Sequence, residues 1–127
     1  MPALLPDAFA DHLGVAVERT SPGTARATLT LDARHANPHG TAHGAVLYSL
    51  AGIALAAAAN DDTTSGIVSA VHIDYLAPAR PGEALTATAQ LADSTAREDV
   101  FVVRVVRDAD GVLVARAGGR ATRRSRA

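Results

Sequence analysis

His35-Ala36-Asn37-Pro38-His39-Gly40-Thr41-Ala42-His43-Gly44, running straight into Ala45-Val46-Leu47-Tyr48-Ser49-Leu50, is the stretch on which the fold of this chain turns. Histidines, an asparagine and glycines crowd together, and an almost wholly apolar, alanine-rich segment begins where they end. A glycine at a helix start lets another group approach the unpaired backbone N–H groups closely. Those groups carry the positive end of the helix dipole, which favours a negative or developing-negative oxygen. A polar knot at a buried helix start, in an otherwise apolar small chain, is where chemistry is expected.

Working outward, the apolar segment predicts a helix from about Gly44 to Ala59. Leu47, Leu50, Ala51, Ala54, Leu55 and Ala58 form one stripe, and Val46, Ile53 and Ala57 make the opposite side apolar too, so the helix is expected to be buried on all sides. Upstream, Thr24 to Asp32 alternates as a half-buried strand, with Ala25, Ala27, Leu29 and Leu31 on one face. Gly14 to Arg19 is predicted to pair with it through the turn Ser21-Pro22-Gly23, behind a helical lead-in from Asp7 to Leu13. Downstream, Asn60 to Gly66 reads as an exit loop with Asn60 as a cap. Ile67 to Leu76 is apolar on both faces, as suits a central or interface strand. Pro78 to Gly82 turns the chain, Ala84 to Ala92 alternates again, and Asp108-Ala109-Asp110-Gly111 joins strands at Val100 to Arg107 and Val112 to Ala121. The basic end, 120–127, is expected to fray. Two strands, one long helix and four more strands give a single α+β domain over 1–127, with residues 1–13 as lead-in. Its antiparallel curved sheet wraps around one central helix. One curved sheet cannot close over that helix completely, so the open side invites a second copy.

Composition narrows the function. The 127 residues suffice for one domain that buries roughly two-thirds of the surface of its unfolded chain. Apolar residues make up 48% but aromatics only 3%, so the core is built from small side chains and gains from a further buried interface. A net charge of −1 argues against nucleic acid or an anionic membrane as partner. With no cysteine there is no disulfide framework and no thiol nucleophile. Met1 to Asp7 lacks the charged and apolar regions of a signal peptide, and the apolar run Ala45 to Ala59 falls short of the about 20 residues that span a bilayer. A cytoplasmic protein is expected. His35, His39 and His43 are spaced i, i+4, i+8, but Pro38 and Gly40 interrupt any helix that would align them, and no carboxylate accompanies them, so no metal site is expected.

The knot and the element order resemble the hotdog-fold thioesterases of the phenylacetate-degradation (PaaI-like) type. There a short polar Asn-x-His-Gly segment runs into His-Gly-Gly and then the central helix. The matching residues are Asn37, His39, Gly40, His43 and Gly44, with Ala45 in place of the second glycine. Asp74-Tyr75-Leu76-Ala77-Pro78 is similar to the family's strand ending in an Asp-aromatic-x-x-Pro run. The resemblance implies a homodimer or homotetramer with sites at the subunit interface, and hydrolysis of an acyl-CoA or acyl-carrier thioester without a cofactor. It further implies that the Gly44 N–H polarises the thioester carbonyl, that the partner subunit's Asn37 positions the thioester or water, and that a carboxylate about two turns into the helix is nucleophile or general base. Gly52 stands where that carboxylate is expected. Glycine costs a helix about 1 kcal/mol relative to alanine, so its presence there points to space needed by a substrate or a crossing backbone.

With Gly52 in that place, His43, Ser49 and His72 are the candidates for activating water, beside Asn37 and Gly44. His39, Gly52, His72 and Arg80 are candidate substrate contacts, Arg80 through the CoA phosphates. Each has a structural alternative. His43 suits a helix cap, Asn37 before Pro38 suits a turn, Ser49 suits a back-bonded helix serine, and Arg80 suits a solvated surface charge. Two other activities fit the same fold. An acyl-CoA-binding module would need Gly44 and the pocket but no carboxylate. A hydratase or dehydratase would need His72 and Asp74 to face one pocket.

Overall fold

The computed structural model describes residues 4–61 and 64–125. Helix α1 (Ala8–Leu13) is capped by the Asp7 carboxylate at its start and by Gly14 in the left-handed region, φ 84°, at its end. That cap occupies Gly14, so strand β1 begins later than the sequence suggests and runs Ala16–Ser21. Strand β2 (Thr24–Thr30) follows the expected alternation, with Ala25, Ala27 and Leu29 buried and Arg26, Thr28 and Thr30 exposed. After the polar knot come helix α2 (Gly44–Ala58) and strands β3 (Thr64–Tyr75), β4 (Ala84–Ser94), β5 (Glu98–Arg107) and β6 (Leu113–Ser125). The six strands form one antiparallel sheet in the order β1-β2-β4-β5-β6-β3. No helix among the described residues is long and apolar enough to cross a membrane.

Strand register explains how the helix is held. On the concave face, Ala25, Ala89, Val103 and Ala117 lie side by side across four strands, and Ala27, Ala87, Val105 and Ala115 form the neighbouring row. This floor of small side chains lets Leu47, Leu50, Leu55 and Ile53 of α2 sink close to the backbone of the sheet. The approach is very close at Gly119 of β6. A Cβ there would lie 2.6 Å from the Ala70 carbonyl oxygen and 2.6 Å from Leu55 Cδ1. At the C-terminal end of α2, Asn60 Nδ2 donates to the Ala56 and Gly66 carbonyls and Asn60 Oδ1 accepts from the Gly66 N–H, which clamps the helix to the start of β3. Asp62 and Thr63 of the expected exit loop lie outside the described residues.

Within one chain the sheet leaves one side of helix α2 open, as expected: Ala45 and Tyr48 are exposed, while Ser49, Gly52 and Ala56 are half-buried along the face turned from the sheet. Two expectations need correction. Strand β3 is not central. It pairs only with β6 and forms one edge of the sheet. Its two-faced apolarity comes from covering the helix on one side and leaving Ile67 exposed on the other. The basic end does not fray within the described residues. Strand β6 continues to Ser125 by pairing with β3, and Arg123 there pairs with Asp99; Arg126 and Ala127 lie outside the described residues.

Gly119→Ala should destabilise the fold by about 1–3 kcal/mol, because the added methyl can be relieved only by lifting Leu55 or shifting the Ala70 backbone. Urea unfolding measures this. A midpoint equal to that of the parent chain would show that α2 does not approach β6 this closely.

Candidate active site at the N-terminus of helix α2

The knot is built by short-range hydrogen bonds that its own residues supply. Asp32 starts a single 3₁₀ turn (Ala33–His35), its Oδ1 accepting from the Arg34 N–H at 3.0 Å. The buried His35 ring closes that turn: Nδ1 accepts from the Asp32 N–H at 3.0 Å and Nε2 donates to the Leu13 carbonyl at 2.9 Å. This fixes a neutral tautomer with its proton on Nε2 and ties the lead-in to the knot. Asn37 then organises the hairpin loop to Thr41. Its Oδ1 accepts from the His39 N–H (2.9 Å) and the Thr41 N–H (3.2 Å), and its Nδ2 donates to Thr41 Oγ1 (2.8 Å). Gly40 supplies the positive φ of 81° that a three-residue loop of this kind requires. The His43 N–H returns to the His35 carbonyl at 2.8 Å, and the helix starts.

His43 is the N-cap of α2, its Nδ1 accepting from the Ala45 N–H at 3.0 Å. The Val46 N–H bonds to the His43 carbonyl. The Gly44 N–H between them has no acceptor among the described residues. It lies at the positive end of the helix and on the wall of a cleft of about 430 Å³. Asn37, Gly44, Leu47, Tyr75, Leu76 and Pro78 are among the residues that line this cleft. Its two walls are joined by the Ala42 N–H to the Ala79 carbonyl (2.8 Å) and by the Tyr75 hydroxyl to the Gly44 carbonyl (2.9 Å). A free amide N–H at a helix start, beside an asparagine whose Nδ2 has one further hydrogen to give, can hold a carbonyl oxygen and stabilise it as it gains negative charge.

The other candidates are not among the residues that line the cleft. His43, exposed and next to Gly44, has its Nδ1 lone pair engaged in the cap. Ser49 Oγ donates to the Ala45 carbonyl at 2.7 Å, so it is the back-bonded helix serine and stands outside the cleft lining. Gly52 also lies outside that lining; nothing comes within 4 Å of a Cβ built on it, so no backbone of its own chain crosses there. His39 and Arg80 are exposed on the loops flanking the cleft and do not line it. His72 is on the convex face of β3, 77% exposed, with Nε2 3.1 Å from Asp74 Oδ1. The hydrogen bond from His72, with its charge and Arg116 behind it, holds the Asp74 carboxyl below the ordinary carboxylate range against some desolvation. This pair faces away from the Gly44 cleft because, beyond the bulge at Ser69, His72 and Asp74 lie opposite Gly118 and Arg116, which alternate with the buried Ala115 and Ala117 of β6. The arrangement a dehydratase would need is therefore absent from the cleft. Asn37 and Gly44 of one chain are both among the residues that line this cleft.

Tyr75 went unnoticed as a site residue in the sequence. It closes the inner row Ala27, Ala87, Val105 and Ala115, which turns it toward the helix. The signal was there in its i, i+2, i+4 spacing with Val71 and Ile73.

Comparison with known proteins bears on the fold and the family. A family model described as a domain of unknown function (DUF4442) matches residues 8–121. The chain is 37% identical over 100 residues to the acyl-coenzyme A thioesterase PaaI of Escherichia coli (strain K12), covering 79% of this chain and 71% of that one. Its fold matches the structure of the E. coli PaaI protein from the phenylacetic acid degradation operon with a TM-score of 0.87, at 35% identity, over 93% of this chain and 85% of that chain. A putative esterase of Deinococcus radiodurans is 31% identical over 118 residues, 93% of this chain and 80% of that one.

Proposed function

The chain belongs to the PaaI-like hotdog thioesterase family, and we propose that it hydrolyses an acyl-CoA thioester in the cleft at the start of α2. The observation that carries this is the unpaired Gly44 N–H on the cleft wall. A thioester carbonyl oxygen placed against it accepts that hydrogen bond in the ground state. As water adds, the carbonyl carbon becomes tetrahedral, the oxygen takes up negative charge, and the N–H and the helix dipole stabilise it more strongly. The C–S bond then breaks, the acyl group leaves as the acid and CoA leaves as its thiol. The remaining Asn37 amide hydrogen orients the attacking water or the carbonyl.

Replacing Gly44 by proline tests the donor directly. Gly44 is the first helical residue, where proline is favoured, and His43 already has the extended conformation (φ −63°, ψ 136°) that a following proline demands. Gly44→Pro thus removes the N–H and leaves the helix, while Gly44→Ala adds a Cβ and keeps the N–H. Hydrolysis by the proline variant should fall about 10²–10³-fold below that of the alanine variant. Equal rates in two folded variants would remove Gly44 as the oxyanion donor.

The site is completed by a second copy in this reading. Position 52 lies about 12 Å along the helix from Gly44, too far for a side chain there to serve a carbonyl held at Gly44 of its own chain. The unpaired edge of β3 and the bare helix face at Tyr48 and Gly52 are where a second copy fits, as a dimer or a dimer of dimers. Light scattering at micromolar concentration should give at least the dimer mass, and a stable monomer overturns the two-chain site. Gly52 leaves that site without its carboxylate, so hydrolysis rests on oxyanion stabilisation and is slow. The open space at Gly52 accepts a side chain, and Gly52→Asp should raise turnover roughly 10–10⁴-fold by supplying a general base. A folded Gly52→Asp variant with unchanged turnover would mean that water is activated from another position.

A further inference from the structure

Tyr75 ends the edge strand β3 at the point where the chain bends along the cleft, with the Leu76 and Ala77 N–H groups both donating to the Val114 carbonyl. Its hydroxyl donates to the Gly44 carbonyl at 2.9 Å. Its ring lies against the glycine: a Cβ on Gly44 would meet Cζ and Oη at 3.2 Å and Cε1 at 3.5 Å. The Gly44 carbonyl belongs to the same peptide group as the Ala45 N–H, and that N–H donates to His43 Nδ1 at 3.0 Å. One peptide plane is therefore held at both poles, by a phenol on its oxygen and an imidazole on its nitrogen, and each bond polarises the other. This plane meets the peptide that carries the Gly44 N–H at the Gly44 Cα, so holding it limits the φ and ψ open to Gly44 and steadies the first turn of α2 around that N–H. Yet Tyr75 is 53% exposed and lines the cleft, so much of its ring is free to meet a ligand.

We propose that Tyr75 is the positioning residue of the thioester site, its phenol locking the first peptide of α2 and its ring forming the wall against which the acyl chain lies. This rests on the thioesterase reading. The cleft beside the ring is completed by Leu47, Ala77 and Pro78, and none of its lining residues carries an ionised side chain at neutral pH. The acyl group it takes is thus uncharged and apolar, and the ring selects it by width.

The test compares Tyr75→Phe and Tyr75→Ala in the full chain. Steady-state hydrolysis is measured over straight-chain, branched and aromatic acyl-CoAs. Binding of the matching S-alkyl-CoA thioethers, which cannot be hydrolysed, is measured by calorimetry. Tyr75→Phe keeps the wall and loses the lock, so kcat should fall about 2–10-fold, as expected for one neutral hydrogen bond, with KM and acyl preference unchanged. Tyr75→Ala should lower kcat at least as far and weaken the discrimination between narrow and wide acyl groups by about 10-fold or more, in hydrolysis and in thioether binding alike. A merely structural tyrosine would lower the urea midpoint without moving the acyl profile. Wild-type kcat in Tyr75→Phe overturns the lock, and an unmoved profile in folded Tyr75→Ala overturns the wall, while hydrolysis by the parent chain leaves the thioesterase reading standing. If the parent chain hydrolyses no acyl-CoA but Tyr75→Ala still shifts thioether selectivity, the thioesterase reading falls and the acyl wall stands. If no thioether binds the parent chain, both fall.

Discussion

Helix α2 rests on alanine and glycine, and the depth to which it can sink governs the rest of the molecule. Ala25, Ala27, Ala87, Ala89, Ala115 and Ala117 pave the concave face, and Gly119 removes the last side chain from beneath Leu55. Dispersion contacts fall off steeply with small gaps, so a larger floor would lift the helix and forfeit the packing of Leu47, Leu50 and Leu55 together. The helix start cannot move independently of this seat. The Gly44 N–H is placed relative to Tyr75 and Pro78 because Leu47 and Leu50, one and two turns on, are wedged into the sheet.

The polar knot turns that rigid seat into a usable donor. Its three histidines do separate jobs: His35 closes the 3₁₀ turn and holds the lead-in, His39 passes its backbone N–H to Asn37, and His43 caps the helix. Each bond satisfies a group that would otherwise compete for the Gly44 N–H or leave the loop free to shift. In the proposed function, a donor that is fixed before the substrate arrives needs no reorganisation as charge develops. Asn37 belongs to both schemes. Its oxygen and one amide hydrogen hold the loop, and in the proposed function the other hydrogen is left for the substrate or water.

The candidates that left the site show where local reading loses its hold. His72 and Asp74 do meet, as their i, i+2 spacing requires, but on the convex face. Alternation along a strand says which residues share a side; the pairing of β3 with β6 decides which side faces the helix. Ser49 and Gly52 share a helical face with Tyr48 that is turned from the sheet and lies outside this chain's own cleft, so in the proposed function position 52 enters the site only through a second copy. Arginine runs are usually solvated and read as unstructured, yet pairing with β3 carries β6 as far as Ser125. Tyr75 was passed over for the complementary reason. As one aromatic in a strand it has no chemical signature until the Gly44 carbonyl is brought to its hydroxyl from 31 residues away.

Sequence alone determined the element order, the helix with its glycine start, the alternation of β2 and β4 and the asparagine–histidine–glycine string that marks the family, because each is written in contiguous residues whose periodicity or turn chemistry is local. Tertiary structure decided that β3 is an edge, that one face of α2 is bare, that Asn37 and Gly44 share a cleft with Tyr75, and that His72 does not. These follow from contacts between segments tens of residues apart, which are set by how closely the helix can settle on an alanine floor and by which strand edges remain to pair. Local periodicity carries no record of either.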